Sequence, residues 1–446
     1  MNDNICAIAT PYGVGAISII RCSGPDTFSL VSKVFKGKDL TKVKSHTVHY
    51  GHIIENNEVI DEVLCTVFKG PNSFDGEDII EIGCHGGVYV TNRVLGVLLN
   101  NGFRLAERGE FSKRAFLNHR LDLTEAESIM DIISSENDIA LKSSLSSLRS
   151  STKNLITKFR DKILNLLAEI EVNIDYPEYE DSVDVTHNYI RPIIDEMIKD
   201  IKVILDNSKI STIAIHGVNT AIVGKPNVGK SSILNMMLDE NKAIVSDIPG
   251  TTRDLVEGRL NIRNVTLNLI DTAGIHETED YVESIGIERS KKAIEKADLV
   301  LMVLDASKEL DDLDNELLKL TENKNRIIIL NKNDLDAKIS IPGSISISAL
   351  RSEGMDILSE KILEITSINS IKNMDGNYLN NNRQIALMNK AYNSLLNAKE
   401  ATDALVDISL IEIDIKDAFD ALGEITGESY PEELITALFT KFCLGK

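Results

Sequence analysis

Gly224-Lys225-Pro226-Asn227-Val228-Gly229-Lys230-Ser231-Ser232 decides how this chain is read. It follows the strand-like Thr220-Ala221-Ile222-Val223 and leads into Ile233-Leu234-Asn235-Met236-Met237-Leu238, which has helix character. The pattern G-x-x-x-x-G-K-[ST] between a strand and a helix is that of a phosphate-binding loop. A glycine-bearing turn aims successive backbone N–H groups at one point, and the helix N-terminus behind it adds about half a positive charge. Contacts to a nucleotide are expected from Asn227, Val228, Gly229, Lys230, Ser231 and Ser232. Lys230 would reach the β- and γ-phosphates, and Ser231 would hold Mg²⁺.

Three further segments narrow the nucleotide to GTP. Asp271-Thr272-Ala273-Gly274 follows the apolar run from Val265 to Ile270. A carboxylate at a strand end can hold the Mg²⁺ shell, and Gly274 lets a backbone N–H approach the γ-phosphate. Asn331-Lys332-Asn333-Asp334 follows Ile327-Ile328-Ile329-Leu330. A carboxylate there accepts from the N1–H and 2-amino groups of guanine, and adenine leaves that carboxylate unpaired. Ser348-Ala349-Leu350 fits a loop whose backbone N–H meets guanine O6. Between the first two elements, Gly250-Thr251-Thr252-Arg253-Asp254 suits a switch loop, with Thr252 completing the Mg²⁺ coordination and sensing the γ-phosphate. The residue after Gly274 is Ile275, which cannot orient a water as the glutamine of many small GTPases does. A positive charge at the transferring phosphoryl group is worth roughly 10³-fold, about 4 kcal/mol, and no arginine other than the nearby Arg253 offers it.

The chain has 446 residues and a net charge of −21. That length suits about three domains, and the acidity argues against a protein that coats nucleic acid nonspecifically. The five cysteines are scattered, without a C-x-x-C, and read as reduced thiols. No leader-like N-terminus and no long apolar run is evident, so a soluble cytoplasmic protein is expected, with no membrane partner.

Residues 1–117 have glycines and short β-branched runs, with a helix from Gly87 to Asn100, and read as a compact α+β domain. From Glu110 to Tyr176 there is neither glycine nor proline, and apolar residues recur at three- and four-residue steps, as in Leu155, Phe159, Ile163, Leu166 and Ile170. Residues 118–216 are therefore helical, with Val183 to Ser208 as one late helix. Strands near 220, 255, 265, 300, 327 and 345 give residues 217–370 a mostly parallel sheet with helices on both faces. Residues 371–446 turn helical again after a linker. The fold class is an α/β P-loop GTPase domain inserted into an all-α helical domain, preceded by the α+β domain. The alternative is two unrelated helical regions.

With those residues in view, the chain resembles the MnmE (TrmE) family of tRNA-modification GTPases along essentially its whole length. The resemblance rests on Ala9-Thr10-Pro11, Gly70-Pro71-Asn72-Ser73-Phe74, Cys84-His85-Gly86-Gly87, Arg108-Gly109-Glu110-Phe111-Ser112, the GTPase motifs, Glu283-Ser284-Ile285-Gly286 and the terminal Phe442-Cys443-Leu444-Gly445-Lys446. It implies a homodimer through the N-terminal domain, a bound 5-formyl- or methylene-tetrahydrofolate, and a heterotetramer with an MnmG (GidA)-like FAD protein. The pair would install an aminomethyl or carboxymethylaminomethyl group at C5 of the wobble uridine (U34) of tRNA. It also implies hydrolysis driven by K⁺-dependent dimerisation of the G domains.

The same resemblance supplies the missing charge. K⁺ would be held by Asn227, by Ser246 and Ile248, and by Thr251, within a loop Ser246-Asp247-Ile248-Pro249-Gly250-Thr251 that also touches GTP. Glu283 would orient the attacking water, which places it beside Lys230 and Gly274 among the catalytic groups. Folate would meet Arg21, Glu81, Arg120 and Lys446; arginine forks suit the glutamate tail and a carboxylate suits the pterin amino edge. Arg120 departs from the family's usual lysine, and His276 departs from its arginine. On the residues alone, Arg21, Glu81 and Arg120 are also ordinary salt-bridge residues. Cys443 is either a nucleophile of lowered pKa or a packed thiol. The basic run Arg149, Lys153, Lys158, Arg160, Lys162 either touches tRNA or is a solvated helix face. A competing function is an Era-like, GTP-timed RNA or ribosome-assembly factor.

Overall fold

The computed structural model describes residues 3–135, 137–175, 186–241, 258–263, 265–270, 283–366, 378–428, 432–442 and 445. The chain divides into two compact units, residues 1–130 with 422–446 and residues 131–421.

In the first unit, strands β1 (Ile5–Ile8) and β2 (Ile17–Ser23) precede helix α1 (Thr27–Val34). Strands β3 (Phe35–Gly37), β4 (Thr47–Glu55), β5 (Glu58–Phe68) and β6 (Ile79–His85) follow, then α2 (Val88–Asn100), β7 (Arg104–Leu105) and α3 (Glu110–Leu117). The seven strands form one sheet in the order β3-β4-β5-β6-β2-β1-β7, antiparallel except for β1 with β7. Alternation decides its two faces. Ile20, Cys22, Val63, Cys65, Ile80, Ile82 and Cys84 are buried with Val94, Val97 and Leu98 of α2. The intervening residues of the same strands, among them Arg21 and Glu81, belong to the opposite face, and the register of β2 with β6 sets Arg21 directly against Glu81. Burial drives the Cys6 and Cys65 thiols up to about 12, which suits inert, reduced cysteines.

Helices α4 (Leu123–Ile133), α5 (Asp138–Leu148) and α6 (Ser151–Asp175) come next, then a π turn at Thr186–Ile190 and α7 (Arg191–His216). Of the late helix expected over Val183–Ser208, residues 183–185 lie outside the described residues; the π turn leads directly into α7, which carries Pro192 in its first turn. It runs on to His216 and stops at Gly217, whose φ of +79° and 2.6 Å approach of a would-be Cβ to the Thr266 carbonyl exclude a side chain.

Beyond Gly217 lie β8 (Val218–Val223), α8 (Lys230–Asn241), β9 (Arg259–Ile262), β10 (Val265–Ile270), α9 (Glu283–Lys296), β11 (Leu299–Asp305), α10 (Asp312–Leu320), β12 (Asn325–Asn331), β13 (Ile345–Ser346) and α11 (Met355–Thr366). Their sheet has the order β13-β12-β11-β8-β10-β9, parallel except for β9. The expected mostly parallel α/β domain is what forms. Strand β11 is buried along its full length, as a central parallel strand covered on both faces must be.

The insertion is stitched where the chain leaves and re-enters the helices. The Asn380 side-chain oxygen accepts from Ser143 Oγ of α5 and Ser211 Oγ of α7, each at 2.8 Å, and the Leu379 amide donates to Ser208 Oγ at 2.8 Å. The chain then continues into α12 (Asn382–Asp403) and α13 (Ile408–Thr426), with α12 packed against α7. The last helix, α14 (Glu432–Phe439), lies in the first unit, where Phe439 and Phe442 pack with Phe116, Leu123 and Ala126. Gly445 sits so close to β1 that a Cβ would lie 2.4 Å from the Ile8 carbonyl.

Candidate functional site

The carboxyl ends of β8, β11, β12 and β13 meet on one edge of the parallel sheet, where open α/β sheets bind ligands. Residues 224–229 follow β8 and turn into α8 at Lys230. Two glycines permit the turn: Gly224 at φ +152°, with a would-be Cβ 2.3 Å from the Val303 carbonyl, and Gly229 at φ +99°, with one 2.1 Å from Asn331 Nδ2. Asn227 takes left-handed backbone at φ +63° and is exposed. The Lys230 ammonium donates to the Gly224 and Lys225 carbonyls, both at 2.8 Å, so the loop closes on its own lysine. Burial lowers that lysine's pKa; phosphate oxygens in the cradle would satisfy the charge better than two carbonyls.

The guanine-reading loop is tied to the phosphate loop. Asn331 Nδ2 donates to the Val228 carbonyl at 2.8 Å, and its Oδ1 accepts the Ala349 amide at 3.1 Å. Asp334 accepts the Ser348 hydroxyl at 2.7 Å, which holds its carboxyl below the usual range and ionised for a base. Lys332 has left-handed backbone at φ +65°. The structure thus brings together Asn227, Val228, Gly229, Lys230, Ser231, Asn331, Lys332, Asn333, Asp334, Ser348 and Ala349, with Ser232 the third residue of α8 and Leu350 exposed on the last loop.

Two contributors escaped the sequence reading. Asp305 ends β11 and is buried; its Oδ2 lies 2.7 Å from Lys332 Nζ while its Oδ1 takes the Ser307 amide and hydroxyl. Burial pushes this carboxyl up, but those donors bring it below its ordinary value. Lys225, inside the phosphate loop, contacts Asp311 and Asp314 at 2.6 Å each. Those aspartates form the capping box of α10, which anchors the loop to a helix start. A terminal aspartate on an apolar run was the available signal for Asp305.

The remaining nucleotide assignments, Ser246, Asp247, Ile248, Pro249, Gly250, Thr251, Thr252, Asp271, Thr272, Ala273 and Gly274, lie outside the described residues. So do Cys443 and Lys446. Glu283 opens α9, and its side chain is likewise outside.

On the first unit's sheet, Arg21 donates through Nε and Nη2 to Glu81 Oε1 at 3.0 and 2.8 Å. The guanidinium lies 4.9 Å from the Phe74 ring centroid and 5.6 Å from that of Phe111. Its Nη1 is buried without a hydrogen-bond partner, as is Ser73 Oγ next door. Arg120 donates to the Ser73 carbonyl at 3.2 Å and packs its stem against Gly76. Arg120 and Phe74 share an open depression of about 500 Å³ with His46, Phe68, Asn72 and Ser73. Arg21 and Glu81 therefore form an ion pair, and Arg21 Nη1 and Ser73 Oγ beside Phe74 remain unspent donors.

A glycine-turn phosphate loop beside an Asn-Lys-x-Asp loop, on the carboxyl edge of a parallel sheet, defines a P-loop GTPase. Among the described residues no helix is long and apolar enough to cross a membrane. The family model described as "GTP-binding protein TrmE N-terminus" matches residues 4–120, and that described as "MnmE helical domain" matches residues 123–443. The chain belongs to the MnmE (TrmE) family. It is 50% identical over 449 residues to the tRNA modification GTPase MnmE of Streptococcus thermophilus, covering 100% of this chain and 98% of that one. To the protein of the same name from Ligilactobacillus salivarius it is 51% identical over 456 residues, with 100% and 98% covered. A solved structure of Era with MgGDPNP and a 16S ribosomal RNA segment shares 33% identity, covering 33% of this chain and 56% of that one, at a TM-score of 0.26.

Proposed function

We propose that this chain is the GTP-hydrolysing component of tRNA wobble-uridine (U34) C5 modification, working with an MnmG-like FAD protein and a tetrahydrofolate one-carbon unit. The observation that carries it is the joint presence of a guanine-nucleotide site and matches to the family's own N-terminal model over residues 4–120 and helical model over residues 123–443, the second range enclosing the GTPase motifs. The curated relatives are called tRNA modification GTPases, and tRNA is the substrate assigned here on that basis. An Era-like assembly factor is disfavoured, since both matched models are those of the MnmE (TrmE) family and the relatives so named align over 98% of their own length.

At the nucleotide, backbone amides of the phosphate loop and Lys230 hold the phosphates, and Asp334 with the Ala349 amide reads guanine. Ser231 and Thr252 would hold Mg²⁺, which supplies charge to the phosphoryl group. The phosphate loop, residues 224–232, contains no arginine of its own, and the exposed left-handed Asn227 is the side chain we assign to K⁺, with Ser246, Ile248 and Thr251. Glu283 would align the attacking water, with Gly274 approaching the γ-phosphate. G-domain dimerisation would complete this site.

The homodimer is supported by the bare face of the N-terminal sheet, where Ile17, Val48, Tyr50 and Leu64 are 51–67% exposed; apolar side chains crowded on one sheet face mark an interface. Arg21, Glu81, Arg120 and Lys446 would hold the folate. A cytoplasmic setting follows from this role. The deciding experiment analyses wobble nucleosides in tRNA from cells lacking the gene: modified uridines should vanish, and unchanged ones would refute the reading. Replacing Na⁺ by K⁺ should raise GTP turnover strongly; equal rates would remove the K⁺ assignment.

A further inference from the structure

The open depression bounded by Arg120 is lined by more polar groups, His46, Asn72 and Ser73, than the end of a single folate glutamate requires. From the geometry we infer that it is a subsite for the γ-linked glutamate tail of polyglutamylated folates, with His46 and Asn72 as its recognition residues. The inference rests on the folate reading of the N-terminal domain.

Phe74 joins the two halves of this surface. The Arg21 guanidinium lies over its ring, and the same side chain lines the depression shared with Arg120, His46, Phe68 and Asn72. A planar ligand placed against Phe74, with its amino edge toward the Arg21–Glu81 pair, can extend its other end along that depression. That end of a folate is a chain of carboxylates joined by amides. The lining matches this chemistry. Arg120 presents a guanidinium, fixed by its donation to the Ser73 carbonyl and by the close seat of its stem on Gly76. Asn72 offers an amide that can donate and accept. Ser73 Oγ is more than nine-tenths buried and has no partner, an unusual state for a hydroxyl that a ligand amide would end.

His46 is held for the purpose. Its own amide donates to the Val67 carbonyl at 2.7 Å, and its ring stands edge-on to Phe68 with centroids 5.4 Å apart. Ser45 Oγ accepts the Lys69 amide at 2.9 Å and lies 2.8 Å from His46 Nδ1. The serine hydroxyl proton is then free to donate to Nδ1, which leaves the imidazole proton on Nε2, a donor for a carboxylate. His46 adopts left-handed backbone at φ +61°, a conformation unfavourable for a non-glycine residue and kept here by these ties.

The test is equilibrium binding of 5-formyl-tetrahydrofolate carrying one glutamate or three to the full chain. The triglutamate should bind about tenfold more tightly, the equivalent of one or two charge-assisted hydrogen bonds. In a His46→Ala, Asn72→Ala double variant the two ligands should bind equally, and His46→Gln, which retains a donor, should restore part of the difference. Monoglutamate binding with no triglutamate advantage, or an advantage that survives in the double variant, would overturn the subsite and leave the folate reading standing. Absence of binding by either ligand would remove both.

Discussion

Asn331 Nδ2 donates to the Val228 carbonyl at 2.8 Å across 103 residues of sequence, while Asn331 Oδ1 accepts the Ala349 amide. One buried amide side chain thus holds the phosphate loop and both guanine-reading loops in a common frame. Asn331→Ala leaves a carbonyl and an N–H unpaired, at a cost of about 2 to 4 kcal/mol. GDP and GTP affinity should both fall, on the order of 10²-fold. Titration with a fluorescent guanine nucleotide measures this, and an unchanged dissociation constant would show that the frame is not needed.

Asp305 acts one step behind the base. Its contact to Lys332 Nζ holds a lysine whose backbone is already left-handed, within the loop that the proposed function assigns to guanine. Asp305→Asn keeps the shape and removes the charge. KM for GTP should rise about tenfold with kcat changed less than threefold, the pattern of a lost positioning contact rather than a lost chemical group. A fall in kcat at constant KM would place Asp305 elsewhere in the mechanism.

The phosphate loop and the Asn331-to-Asp334 run were legible in the sequence because each is a short contiguous segment whose backbone does the work. The insertion of the GTPase was legible too, since glycine-free helical periodicity stops before it and resumes after it. Asp305 was not, because its partner Lys332 lies 27 residues away, and only the parallel pairing of β11 with β12, with Asp305 opposite Asn331, brings the two strand ends together. Arg21 and Glu81 were visible as folate candidates only by resemblance. Their ion pair depends on the register of β2 against β6, which a separation of 60 positions in the sequence conceals. The late helix runs on past Ser208 to His216 because Gly217 sets its end, an edge that apolar spacing alone does not mark.

Acid should loosen the N-terminal unit. Glu110 is buried beneath Arg104 and Arg114, with Asp3 completing the cluster. Burial raises the Glu110 pKa, but the hydrogen bond from Arg104, the Glu107 amide and Arg114 together bring it below the ordinary 4.5. A depressed carboxylate adds stability that is fully present above its unfolded pKa and is lost as pH falls through the folded one. Wild-type stability should therefore decline as pH drops below about 4.5. Glu110→Gln should be less stable at pH 7 and show a shallower acid limb. Urea unfolding followed across pH 3 to 7 checks both; parallel curves for the two proteins would exclude the linkage.

Gly229 gives the sharpest test of the phosphate cradle. Its φ of +99° is strained for any side chain, and a Cβ there would sit 2.1 Å from Asn331 Nδ2. Gly229→Ala must either rotate the loop or push Asn331 away from Val228, and both outcomes disperse the amides that converge on phosphate. The sheet beneath is untouched, since the clash is confined to the loop and one side chain. Nucleotide binding should be lost below detection while the melting temperature of the nucleotide-free protein falls by only a few degrees, as about 1 kcal/mol of local strain allows. Near-normal GTP affinity in this variant would mean that phosphate is held by something other than these amides.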